Sequence, residues 1–101
     1  MQSRGRVFWD EDYRCYFRAR GLDPLPADRR YVLWMVAPDG RVHAAGSFDA
    51  DAQGEATVYT RLPKEFRPVV RTLVTAEAGS YGERPTGPVL LAGEARPETL
   101  R

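Results

Sequence analysis

Cysteine is almost missing from this chain: Cys15 stands alone among 101 residues. No intramolecular disulfide can form, which leaves the redox compartment open. Reducing cytosol fits, and so does an exported domain that needs no bridge. Histidine is also single (His43), and so is lysine (Lys64). One cysteine and one histidine exclude the paired ligand spacing of a structural zinc site. Isoleucine and asparagine do not occur, and every basic residue but one is arginine, a pattern that GC-rich coding explains most simply. No apolar run approaches the roughly 18 residues of a membrane span. Gln2-Ser3-Arg4-Gly5 leads straight into a strand-like segment without the pattern of a signal peptide. The chain therefore reads as an excised domain with targeting information upstream. Excess charge is lacking too. A formal net charge of +1 argues against a nucleic-acid binder and gives no general reason to adhere to an anionic membrane.

What is present is one domain's worth of strand signal. A chain of this length buries roughly 65% of its unfolded surface, enough for one core. Tyr31 to Val36 is wholly apolar and suits a strand buried on both faces. Pro38-Asp39-Gly40 is turn chemistry, with Pro setting the first corner and Gly accepting positive φ. Val42 to Phe48 runs back as the second strand of a hairpin. Before it, Arg6 to Trp9 is a short strand and Asp10-Glu11-Asp12 an exposed turn. Tyr13 to Arg20 alternates, with Tyr13, Cys15, Phe17 and Ala19 on one face and Arg14, Tyr16, Arg18 and Arg20 on the other. Gly21 to Pro26 is a proline-rich crossing between sheets. Later come a strand from Glu55 to Leu62, a connection anchored by Phe66, and a strand from Val69 to Ala78. A glycine-rich loop from Gly79 to Gly87 and a last strand from Pro88 to Gly93 complete the chain.

About seven short strands with no helical period predict an all-β fold, a two-sheet antiparallel β-sandwich of Ig-like type, with a small barrel as the runner-up. Residues 1–5 read as a linker, 6–94 as the sandwich and 95–101 as a polar tail. Trp34 and its neighbours are expected between the two layers of extended chain.

Candidate chemistry is thin. His43, Ser47 and Asp49 resemble a hydrolytic trio, yet residues four apart on a strand lie roughly 13 Å apart at about 3.3 Å per residue. That is beyond the reach a nucleophile and its base require. Asp49-x-Asp51-x-Gln53-Gly54 mimics the start of a calcium loop, but the twelfth position, where that loop needs a bidentate Glu, is Thr60. Asp10-Glu11-Asp12 is read as solvated carboxylates, and Cys15, on an apolar face, as a small hydrophobe. Arg14, Arg18 and Arg20, with Arg29 and Arg30 close in sequence, outline a basic stripe around Tyr16. It reads as a solvated face or as a contact for an anionic polymer or a protein. Trp34 is read as core, and the loop around Tyr81 and Arg84 as a place for partner contact. No catalytic residue, cofactor or metal is expected.

Leu22-Asp23-Pro24-Leu25-Pro26, Tyr31-Val32-Leu33-Trp34, Asp39-Gly40, Ala45-Gly46-Ser47-Phe48, Gly54, Thr75-Ala76-Glu77 and Pro85-Thr86-Gly87-Pro88-Val89 occur in this order. In this respect the chain resembles the C-terminal, extracytoplasmic domain of anti-sigma factors of the anti-sigma-K type, over roughly Val7 to Glu94. The family motif falls on Tyr31, Leu33, Trp34, Gly40, Gly46, Phe48, Glu77, Pro85, Thr86 and Gly87, all with structural roles. Val32 stands where the family often has Gln, and Ala78-Gly79-Ser80 where a Gly-Gly-Ser turn is common. The resemblance implies a non-catalytic sensory or regulatory module outside the cytoplasm, in periplasm or cell envelope, within a membrane-anchored parent that controls an extracytoplasmic-function sigma factor. It implies a protein partner or envelope protease, with Tyr81, Arg84, Arg14 and Arg18 as candidate contacts. It places sigma-factor binding in a cytoplasmic segment upstream and membrane attachment in a transmembrane helix, both outside this chain. A freestanding β-sandwich binding module of the envelope is the alternative.

Overall fold

The computed structural model describes residues 3–10, 12–64, 69–79 and 81–94. The strands are β1 (Arg4–Trp9), β2 (Arg14–Arg20), β3 (Arg29–Val36), β4 (Val42–Phe48), β5 (Ala56–Arg61), β6 (Arg71–Ala78) and β7 (Val89–Glu94). They form a three-stranded sheet, β1-β2-β5, and a four-stranded sheet, β4-β3-β6-β7. All pairings are antiparallel. The chain changes sheet after β2, β4 and β5, which is a Greek-key path through a β-sandwich. The expected strands are all present, and β1 starts at Arg4, inside the segment read as a linker. Residues 65–68 of the connection with its expected Phe66 anchor, Glu11, Ser80 and the tail from 95 onward lie outside the described residues.

Alternation decides what faces inward. Phe17, Ala19 and Cys15 from β2, Tyr31, Leu33 and Met35 from β3, and Val74 from β6 meet between the sheets with Trp9, Phe48 and Leu62. Burying Phe17, Leu33, Met35, Phe48, Leu62 and Val74 contributes about 1.5–3 kcal/mol each. Gly46 on β4 pairs with Leu33. A Cβ there would lie 3.3 Å from Val58 Cγ1, so this glycine lets the two sheets approach. Cys15 is buried in this layer, and burial pushes its thiol up to about 12. It is a packing residue with no accessible thiolate at neutral pH.

Three turns share one design. In each, an N–H three residues on donates to the first residue's carbonyl: Tyr13 to Asp10, Gly40 to Ala37 and Gly54 to Asp51. The last residue has positive φ, 86° at Gly40 and 77° at Gly54. The carboxylates of Asp10 and Asp51 accept backbone N–H groups within their own turns, and that of Asp39 accepts the N–H of Arg41 just past its turn. The resemblance of Asp51 to a calcium ligand is thus a resemblance between turns. In the first turn the left-handed position holds Tyr13, at φ 58°. Tyr13 therefore belongs to the turn and does not extend the buried face of β2, contrary to expectation. The residue is 36% exposed.

Candidate functional site

Trp34 is fully buried, as expected, but not between the sheets. Leu33 and Met35 point into the inter-sheet core, so alternation turns Val32 and Trp34 to the opposite, outer face of β3. Register sets Val32 against Thr75 and Arg30 against Glu77 on β6. Val32, Trp34, Thr75 and Glu77 are at most 1% exposed. On an outer sheet face they require a lid. The glycine-rich segment joining β6 to β7 supplies it, and the ring of Tyr81 meets Trp34 edge-on with centroids 5.9 Å apart.

A chain of hydrogen bonds fixes this lid. The indole Nε1–H of Trp34 donates to Thr75 Oγ1 at 2.8 Å. The Thr75 hydroxyl donates in turn to Glu77 Oε2 at 2.5 Å. The same carboxylate accepts the Gly87 N–H at 2.9 Å, the Thr86 hydroxyl at 2.6 Å and the Thr86 N–H at 3.2 Å. A buried carboxylate without partners would be prohibitive; here its lone pairs are met by hydroxyls and backbone donors. Burial pushes the Glu77 carboxyl up. Hydrogen bonds from Thr75, Thr86 and the Gly87 backbone outweigh it, and the net shift is below the ordinary value of 4.5. Glu77 is thus a charged clasp holding the loop by its backbone.

Gly87 shows how tight the closure is. A Cβ built on it would sit 1.8 Å from the Ala76 carbonyl oxygen and 3.2 Å from Glu77 Oε2. No side chain fits while the clasp is shut. Pro85, half-buried, leads into Thr86 and Gly87. The remaining motif residues serve the frame. The Tyr31 hydroxyl donates to the Asp23 carbonyl, tying the proline-rich crossing to β3. Its ring stacks on Phe48 at 5.5 Å.

Of the candidate contact residues, Tyr81 is half-buried on Trp34 and Arg84 is exposed in the same loop. Arg14 and Arg18 lie at the other side of the sandwich, on the outer face of β2. Arg14 is bridged to Asp10 at 2.8 Å and Asp12 at 3.2 Å. Arg29 and Arg30 open β3 in the four-stranded sheet and do not join the stripe on β2. Arg30 instead contacts Asp49 and Ser47. Thr75, quoted in the family pattern but given no role there, is the link between the indole and the carboxylate. Its signal was a polar pair two residues apart, Thr75 and Glu77, in the otherwise apolar stretch from Leu73 to Ala78.

The clasp lies within the stretch that one family model covers. The family model described as anti-sigma-K factor rskA, C-terminal, matches residues 5–89. The chain belongs to this family. The match ends at the start of β7 and takes in the whole clasp, so the anti-sigma-K C-terminal domain is here a β-sandwich with its inter-strand loop pinned over a tryptophan. No curated protein and no solved structure matches the chain.

Proposed function

We propose that this domain is the non-catalytic, extracytoplasmic sensory or regulatory part of a membrane-anchored anti-sigma factor. It controls release of an extracytoplasmic-function sigma factor that is held by the cytoplasmic part of the parent. The observation that carries this reading is the family match over residues 5–89. The fate of the motif's polar groups supports it: Thr75, Glu77 and Thr86 spend their hydrogen-bonding capacity on one another and on the indole, leaving none aimed at a substrate. In this reading the clasped loop is the responsive element. Closed, it seals a sheet face against an envelope protease. Opened by a signal or partner, it exposes extended chain around β6 and β7 by local unfolding.

Topology and output are both measurable. Alkaline phosphatase fused after the domain in its parent protein is active only outside the cytoplasm; an inactive fusion alongside a fluorescent cytoplasmic reporter overturns the placement. Gly87→Ala in the parent should change sigma-dependent transcription in the absence of signal. Unchanged output from a parent whose clasp is open would refute the role of the loop.

A further inference from the structure

The outer face of the three-stranded sheet carries a charge pattern that the net charge conceals. Register places Arg4 opposite Arg20, Arg6 opposite Arg18, and Arg14 opposite Arg61. Like charges directly across a strand pair are destabilising, and here the arrangement occurs three times on one face. Among the described residues only Arg14 of these six has an ion pair. The Arg14–Arg61 pair is thus offset by Asp10 and Asp12, whereas Arg4–Arg20 and Arg6–Arg18 have no such ion pair among the described residues, and a local rule broken without compensation inside the fold marks a functional surface. Between the arginine rows runs an aromatic one: Phe8, Tyr16 and Tyr59 lie side by side, with centroids 5.8 and 4.9 Å apart. Tyr59 is 76% exposed.

We propose that this face docks flat on an anionic lipid bilayer, its arginines on headgroup phosphates and its aromatic row at the interfacial level. Three features favour a bilayer over a soluble polyanion. First, the charges spread in two dimensions, about 5 Å apart across strands and about 7 Å apart along them, whereas a linear polymer follows one line. Second, the aromatic row sits at the middle of the array, where amphipathic rings settle at a membrane interface. Third, six of the 15 basic residues gather here while the chain holds 14 acidic ones, so the rest of the molecule is net negative and the domain would orient before contact. An open depression of about 700 Å³ lies between Arg4, Arg6, Arg18 and Arg20, with Glu55 the one acidic residue lining it. The inference does not depend on the sensory reading; it concerns the isolated chain and a lipid surface.

The test is co-sedimentation of the 101-residue chain with phosphatidylcholine vesicles containing none or about 30 mol % phosphatidylglycerol. Binding is expected only to the anionic vesicles and should weaken as salt is raised. Arg18→Glu with Arg20→Glu turns two like-charge pairs into opposite-charge pairs, so the fold is kept. Partitioning should fall at least about 25-fold, at roughly fivefold per arginine removed. Tyr59→Ser, at an exposed site, should lower it several-fold, and Arg84→Glu, in the loop over the other sheet, should leave it unchanged. Equal binding to both vesicles, or no loss in the double variant, overturns the proposal. Capture of polyphosphate or oligo(dT) without vesicle binding would replace the bilayer by a soluble polyanion.

Discussion

On the outer face of β3 and β6, Val32, Trp34, Thr75 and Glu77 are sealed beneath a loop. On the outer face of β1, β2 and β5, an aromatic row lies open among arginines, with Tyr59 76% exposed. Both faces begin as strands with large rings pointing away from the inter-sheet core. They differ in the connection that leaves the strand. After β6 it is long enough to fold back, with Gly87 to let its backbone reach a carboxylate. The β1–β2 connection is a tight turn that can cover nothing. An outer aromatic is therefore core on one side of this molecule and surface on the other, and loop length together with one buried acid decides which.

The largest way to break the contrast is Gly87→Ala. The added Cβ cannot coexist with the Ala76 carbonyl, so the loop must lift and Glu77 loses its backbone donors. Hydrogen bonds to a buried charge are worth about 1.5–3 kcal/mol each, so a loss of about 3 kcal/mol or more is expected. Two probes separate local from global opening. In a Trp9→Phe background, which leaves Trp34 as the single tryptophan, its emission should shift to the red and become accessible to quencher. Cys15, sealed between the sheets, should stay as slow to alkylate as in the wild type. Fast alkylation would mean that the loop and the inter-sheet core open together.

A smaller break is Thr75→Val, which keeps the shape and removes the hydroxyl between indole and carboxylate. It leaves the Trp34 N–H without its acceptor and Glu77 one donor short, at a cost of about 1–3 kcal/mol. Chemical denaturation at neutral pH measures it. A change below about 0.5 kcal/mol would show that the indole–carboxylate link adds little to a lid held by Gly87 and Thr86.

Acid sharpens the comparison because Glu77, unlike the exposed Asp10 beside Arg14, is buried under the lid. Glu77 is held below its ordinary 4.5 in the fold. Its stabilisation is fully present above that value and is lost as pH falls through the folded one, because there the unfolded chain binds the proton first. Trp34 emission should therefore report lid opening as the pH falls below 4.5. In Glu77→Gln this pH-dependent component should vanish, because the amide does not titrate. An identical acid transition in both proteins would assign the clasp's pH response elsewhere.

Much of this was legible beforehand, and the gaps have physical causes. Seven strands, their turns and the buried Cys15 follow from period two and turn chemistry. The face of Trp34 did not, because an unbroken apolar run such as Tyr31 to Val36 has no polar partner to show which way alternate residues point. Only the pairing of Val32 with Thr75 and of Arg30 with Glu77 resolves it. Tyr13 misled because its alternation with Cys15 fits a strand, while the turn needs a left-handed residue there. The stripe of Arg14, Arg18 and Arg20 was visible within β2. That Arg4, Arg6 and Arg61 complete it depends on register between strands far apart in sequence, which alternation does not encode.

The smallest effect tests the open face by strengthening the fold. Arg18→Glu alone replaces the Arg6–Arg18 repulsion with an opposite-charge cross-strand pair. Such pairs contribute roughly 0.2–1 kcal/mol and like pairs cost about as much, so the variant should melt a few degrees higher at low salt. The gain should shrink as salt screens the pair. The equivalent reversal at Arg84, which lies in the lid, should give no such gain. A face that becomes more stable when its charge pattern is undone was not shaped for stability alone. If Arg18→Glu instead left the melting temperature unchanged at low salt, the Arg6–Arg18 pair at the centre of the array would carry no strain, and the contrast between a face closed for stability and a face kept open at a cost would fail.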